Sequence, residues 1–251
     1  ASALNPLDLG WDFRDEFGVS GEQHVFQAGV LNPDGTFEVI APLNKVWVNN
    51  KGPVELQLLG VKAFSFEESR LDGSSYYVVK PESIQAIESV SFGEVPGDFY
   101  GRKHPDPQQR PFPAQFVCGK LKVTGQAPAG SGNKVLVVLM MGTPEMDYFD
   151  RRAWDYTKGL LDWYNERGVQ FINFYSDEMH IWFDWDLGTH FGPTELRTRY
   201  MSPALQGRLL DSTPGDWDDA DKLLVYHAYG MHPDDPYAQH VLGPEPADVA
   251  A

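Results

Sequence analysis

Short hydrophobic runs separated by turn signals fill the first half of the chain. Runs rich in β-branched and aromatic residues lie at residues 25–26, 36–40, 45–48, 54–58 and 76–79. Turn signals separate these runs, such as Asn-Pro-Asp-Gly at residues 32–35 and Leu-Asp-Gly at 71–73. Strands of this kind, joined by such turns, usually pair antiparallel. The pattern therefore predicts a β-rich N-terminal half folded as a β-sandwich or jelly roll.

The period changes after an Ala-, Gly- and Pro-containing break at residues 126–132. Residues 135–140 are a continuous apolar run, which is typical of a parallel strand covered on both faces. Thr143 fits a helix start, apolar residues follow at helical spacing as far as Trp163, and Gly168 fits the helix end. A second strand is predicted at residues 169–175 and a third at 223–226.

This alternation predicts an α/β fold for the second half, built from right-handed parallel βαβ units. The break marks the predicted domain boundary. Residues 1–130 would form the sandwich-like domain, and residues 131–251 would form the β/α domain that carries the candidate site.

Composition and charge exclude some classes of protein. Acidic residues outnumber basic ones by 36 to 20, and the formal charge of −16 would repel a nucleic-acid backbone. No apolar run approaches the roughly 20 residues that a membrane-spanning helix needs. We therefore expect no nucleic-acid partner and no membrane span. A neutral or cationic partner fits the charge better.

A single cysteine, Cys118, excludes an internal disulfide and a thiolate metal cluster. Its apolar surroundings in the sequence favour a small buried residue over a nucleophile. Many secreted bacterial proteins also lack disulfides, so localisation stays open, with a secreted or periplasmic protein favoured over a cytoplasmic one. The sequence also leaves a homo-oligomer open.

One segment, residues 176–190, is rich in side chains that do chemistry. Four carboxylates, two imidazoles and two indoles occupy these fifteen residues, directly after a predicted buried strand. Glycoside hydrolysis needs one protonated and one ionised carboxyl group, and crowded acids beside indoles can separate their pKa values. The faces of Trp182 and Trp185 could also pack against a sugar ring.

The Tyr-Ser-Asp-Glu-Met-His sequence at residues 175–180 resembles a barrel strand of the (β/α)8 glycoside hydrolases. The resemblance covers residues 135–232 and implies part of such a barrel, a carbohydrate substrate and no cofactor. It implies Glu178 as acid/base or nucleophile, with Asp177 as a second carboxylate or substrate-binding residue. It also implies subsite roles for His180, Asp184 and His190.

The second catalytic carboxylate stays open. Adjacent side chains of a strand point to opposite faces, so Asp177 and Glu178 need not work together. Glu145, Asp184 and Glu195 are alternatives, and a further alternative is that this chain does not contain the second carboxylate. Ligands of parallel α/β folds bind where strands end, so Glu145 and His227 also join the substrate-binding candidates.

Two other functions remain open. In the first, His180, Asp184 and His190 bind a divalent cation in a metal-dependent hydrolase, although no standard metal motif is present. In the second, the protein binds carbohydrate without cleaving it, and the β-rich half carries the site. Aromatic side chains would then line that site, namely Trp47, Phe64, Tyr76 and Tyr77.

A complete barrel does not fit the chain. A (β/α)8 domain takes about 250 residues, and only three β/α strands are predicted here. We therefore expect a truncated or partial barrel, and the alternative is a small open sheet in the second half that the β-rich half completes. The strands at residues 135–140 and 169–175 should lie side by side and parallel, with Glu178 at their carboxyl edge.

Overall fold

The computed structural model describes residues 6–49, 52–70, 77–97, 115–143, 146–170, 197–212, 222 and 224–225. Strands dominate this part of the chain. The first elements are α1 (Pro6–Phe17), β1 (Glu22–Val30), β2 (Thr36–Asn49), β3 (Gly52–Glu55), β4 (Gln57–Phe66), β5 (Glu68–Arg70) and β6 (Tyr77–Val79). After a short 3-10 turn (Pro81–Ser83) come β7 (Gln85–Ala86), β8 (Val90–Val95), β9 (Gln115–Gln126), β10 (Lys134–Gly142), α2 (Arg151–Glu166), β11 (Arg197–Tyr200) and α3 (Pro203–Ser212).

Most of these strands form two sheets. Sheet A has five strands in the order β11-β1-β10-β4-β7, and sheet B has four in the order β3-β2-β9-β8. β5 and β6 form a separate two-stranded ribbon. Every pairing among the described strands is antiparallel. Sheet A takes strands from both sides of residue 130, and the division into two domains at that residue stays a prediction.

Sheet A is covered by apolar side chains on both of its faces. The interlayer core lies between the two sheets and includes, among others, Val25, Val39, Leu43, Leu121, Val137 and Leu139. The outer core lies on the opposite face of sheet A and includes Phe26, Phe64, Phe66, Leu136, Val138, Met201, Leu224 and Val225. The two cores make sheet A the middle layer of the described structure.

The parallel βαβ fold predicted for the second half is wrong. β10, which contains the apolar run at residues 135–140, pairs antiparallel with β1 on one side and with β4 on the other over its whole length. No edge of β10 is left for a parallel neighbour, so the partial (β/α)8 barrel is excluded. The run is apolar because a central strand with a core on each face must be apolar, whatever its direction.

Other elements predicted for the second half also differ from those in the structure. Val169 and Gln170, the predicted start of a strand, are irregular, while residues 171–175 lie outside the described chain. Leu224 and Val225, predicted as strand, are helical. The helix after β10 is present but starts at Arg151, with Asp150 as its N-cap in place of Thr143. No helix in the described ranges has the length and apolarity to cross a membrane.

Candidate functional site

The residues that the sequence predicts for the site lie outside the described part of the chain. They are Glu145, Asp177, Glu178, His180, Trp182, Asp184, Trp185, His190 and His227. The described chain ends at Gln170 after α2 and begins again at Arg197, the first residue of β11. The roles of these residues stay predictions. The antiparallel sheet removes one argument for Glu178, namely its place at the carboxyl end of a parallel strand.

One aromatic residue proposed for a carbohydrate site in the β-rich half is not available to a ligand. Phe64 is only 1% exposed and belongs to the outer core. It faces away from the sandwich interior because the residues on either side of it in β4, Ala63 and Ser65, point the other way. The side chains of Trp47, Tyr76 and Tyr77 lie outside the described set.

A buried histidine and a glutamate meet on β1. His24 is fully buried, and its Nε2 lies 3.3 Å from Oε2 of Glu22, two residues earlier on the same face of the strand. A carboxylate can only accept, so Nε2 carries the hydrogen of this bond. Among the described residues, Nδ1 of His24 has no hydrogen-bond partner. Because the ring is enclosed, this pair is not open to a ligand.

A second buried polar pair holds the start of α3. The Ser202 hydroxyl donates to Oδ1 of Asp147 at 2.8 Å, and Leu205 N donates to the Ser202 hydroxyl oxygen at 3.2 Å. Ser202 therefore caps the helix, which also begins with Pro203, a residue suited to a first helical position. This arrangement joins the segment after β10 to the segment after β11. Because these hydrogen bonds hold the start of α3, we interpret the Ser202–Asp147 pair as a structural contact.

An open cleft lies between sheet A and sheet B. It has a volume of about 540 Å³, which falls within the size range of small-molecule sites. Its floor consists of apolar side chains of the interlayer core, namely Leu43, Leu56, Leu121 and Met141. Four side chains stand at its rim, namely Lys45, Glu55, Phe92 and Glu94. An apolar floor with a charged rim suits a ligand that has an apolar body and a polar end.

Two of the rim side chains come from edge strand β8, where an aromatic and a charged residue stand on the core-facing side of sheet B. Phe92 pairs with Val123 and Glu94 with Leu121, so both side chains lie on the core-facing side of sheet B. Phe92 is nevertheless 50% exposed. Beyond β4, sheet A continues only with the two-residue strand β7, so it does not cover this part of β8.

A bulge and a glycine place the basic residue of the rim. The register between β2 and β9 shifts between Asn44 and Val46, and Lys45 stands at this irregularity. A bulge of this kind re-aims a side chain. The Lys45 stem passes so close to Gly119 that an added Cβ there would lie 2.8 Å from Cε. The lysine ammonium then forms an ion pair with Glu94 across β9.

These rim residues were not predicted from the sequence, although a signal was present. Along residues 90–95, Glu94 has the same parity as Val90 and Phe92. A charged residue on the apolar side of a strand marks either a protected sheet edge or an opening in the core. Only the position of sheet A shows that the core opens here.

A metal centre is not found among the described residues. No group of three or more histidine, cysteine, aspartate and glutamate side chains in those ranges could hold an ion. The predicted alternative ligands His180, Asp184 and His190 lie elsewhere in the chain. A metal-dependent reaction therefore stays a prediction.

Comparison with known proteins adds no relative. No family model, curated protein or solved structure matches the chain.

Proposed function

We propose that this protein is a carbohydrate-active hydrolase that cleaves glycosidic bonds, with Glu178 as an essential carboxylate. The observation that carries the proposal is the composition of residues 176–190, in which four carboxylates stand with two indoles. This combination supplies a proton donor, a nucleophile or base, and apolar faces that pack on sugar rings. A barrel is not required for this chemistry, because paired carboxylates can be held on different folds.

The described fold supports the proposal in one respect. The segment is bounded by α2 on one side and by β11 on the other, and β11 is hydrogen-bonded to β1 in sheet A. A segment that is tied to regular structure at both ends loses less entropy when it binds a substrate than a free tail does. The net charge favours neutral or cationic polysaccharides as substrates.

The first experiment replaces Glu178 with Gln and measures the release of reducing sugars from a panel of soluble neutral and cationic polysaccharides. We expect the wild-type protein to cleave at least one of them and Glu178→Gln to lose about 10²-fold or more of that turnover. Glu88→Gln is the matched control, because it removes the same charge at an exposed bend outside the proposed site.

Three results distinguish the alternatives. Normal folding of Glu178→Gln with near-wild-type turnover would contradict the assignment. Binding of a polysaccharide by the wild-type protein without any release of sugar would favour the non-catalytic carbohydrate-binding function. Loss of turnover on chelation, restored by a divalent cation, would favour the metal-dependent hydrolase.

A further inference from the structure

We propose that the cleft between sheet A and sheet B is a binding site for a small amphipathic cation, such as an organic amine with an apolar body. The proposal concerns the described β-sandwich and does not depend on the activity proposed for Glu178. It rests on three observations, namely the apolar floor, the excess of carboxylates at the rim, and an exposed aromatic ring beside them.

The floor supplies the apolar contact. Leu43, Leu121 and Met141 are each less than 5% exposed, and Leu56 is 9% exposed. Their side chains come from both sheets, so the floor is the side of the interlayer core that faces the cleft. An apolar group placed against this floor is removed from water, and its burial favours binding in proportion to the area covered.

The rim determines the charge of the ligand. Glu94 is paired with Lys45. Glu55 forms no ion pair with any described residue, and it stands beside Lys45 because Leu56 N donates to Lys45 O at 2.9 Å. Two carboxylates and one ammonium line the same cleft, which leaves one negative charge in excess. The formal charge of −16 on the whole chain adds to the attraction of a cation.

The aromatic ring of Phe92 completes the site. It lies at the rim with half of its surface exposed. The face of an aromatic ring attracts an ammonium group, and its edge packs on apolar groups. A cationic amphiphile therefore has a partner for each of its parts, whereas an anion of the same shape meets two carboxylates against one ammonium.

The test compares two probes that differ only in their charged end, 4-phenylbutylamine and 4-phenylbutyrate, titrated into the full chain at pH 7 by calorimetry. We expect the amine to bind with a dissociation constant of about 1 mM or lower and the carboxylate to bind more weakly. In an assigned amide spectrum, the amine should shift the signals of Leu56, Gly93 and Leu121.

Two variants locate the interaction. Glu55→Gln should weaken the binding of the amine by about threefold to fivefold, the size of a rim ion pair, and should not weaken that of the carboxylate. Leu58→Trp should block both probes, because Leu58 lines the cleft and the indole would occupy part of it. Glu88→Gln, which removes an exposed carboxylate that does not line the cleft, is the control for charge alone.

Three outcomes would overturn the proposal. Equal binding of the two probes would remove the charge selectivity, and equal effects of Glu55→Gln and Glu88→Gln would show that only net charge matters. Amide shifts confined to residues of the outer core would place the probe elsewhere. None of these outcomes depends on whether Glu178→Gln retains activity, so the two proposals fail separately.

Discussion

Gly132 shows how one residue can determine the path of the chain. It lies in the connection from β9 to β10 with a φ of 88°, and an added Cβ would stand 2.2 Å from the carbonyl oxygen of Phe66. The neighbouring amide of Asn133 donates to that same oxygen at 3.3 Å. The close approach ties the connection to the end of β4. Only glycine satisfies both the backbone angle and the space.

Gly132→Ala should therefore destabilise the protein strongly, whereas Gly130→Ala is the matched control. Gly130 has a similar φ of 78° but nothing within 4 Å of an added Cβ. The control carries only the cost of a left-handed backbone, about 1 to 2 kcal/mol. We expect Gly132→Ala to lower the free energy of unfolding by at least about 2 kcal/mol more, because a backbone contact must also break. Urea unfolding measures both, and equal losses would show that the contact is unimportant.

At the scale of elements, helix α2 buries few of its described side chains and begins at a hydrogen-bonded cap. Among its described side chains only Ala153 is buried, and Trp154 and Trp163 are 69% and 47% exposed. Tyr156 packs against Phe13 of α1 with ring centroids 5.6 Å apart. Asp150 accepts a hydrogen bond from Arg152 N at 2.8 Å, which satisfies one of the free amides of the first turn.

Two substitutions separate the cap from the charge of Asp150. Asp150→Ala removes both and should cost about 1 kcal/mol of stability at neutral pH. Asp150→Asn keeps an N-cap oxygen but loses the ion pair with the Arg152 guanidinium, so it should cost less. Thermal unfolding of both variants at pH 7 measures the difference. Equal losses would mean that the charge, and not the cap, stabilises the start of α2.

Asp150→Asn also tests how the stability of the protein depends on pH. The hydrogen bond from the Arg152 side chain lowers the pKa of Asp150 below its ordinary value of 3.8. A lowered pKa in the folded state means that the stabilisation is complete above pH 3.8 and is lost as the pH falls through the folded-state pKa. Asp150→Asn should therefore lose less stability than the wild type below about pH 4. Parallel acid-unfolding profiles would contradict this.

For the whole molecule, β10 connects the two cores. Leu139 is fully buried in the interlayer core, while Leu136, three residues earlier, is 1% exposed in the outer core. The outer core also contains Met201, Leu224 and Val225, which are distant from β10 in the sequence. If the two cores are parts of one folding unit, damage to either one should destabilise both.

Leu136→Ala and Leu139→Ala test this unity. Each should lower the free energy of unfolding by about 2 to 5 kcal/mol, the usual range for a buried leucine. We expect one cooperative transition in both variants, with calorimetry and far-ultraviolet circular dichroism giving the same midpoint. A separate early transition in Leu136→Ala alone would show that the outer core unfolds independently.

The sequence by itself predicted several strands of the first half, the strand at residues 135–140, one helix and one turn. Strands can be predicted from short stretches of sequence, because successive side chains of a strand point to opposite faces of the sheet. Gly35 adopts the positive φ of 83° that the Asn-Pro-Asp-Gly sequence indicates, and Asn32 N donates to Thr36 O across the turn. Gly168, with a φ of 79°, lies just beyond α2 as its sequence position predicts. The turn and the helix end depend on contacts between residues close together in the chain.

Only the tertiary structure decided how the strands pair and where a ligand could bind. The turn at residues 32–35 leads from sheet A to sheet B and does not join two paired strands. The apolar run of β10 indicates that both faces of the strand are buried. Burial on both faces is compatible with parallel and with antiparallel neighbours, so the prediction of a parallel fold was wrong. The cover on the outer face of β10 comes from residues some 60 to 90 positions later. The cleft likewise arises because sheet A ends before it covers Phe92 and Glu94, an arrangement of distant strands that no local pattern records.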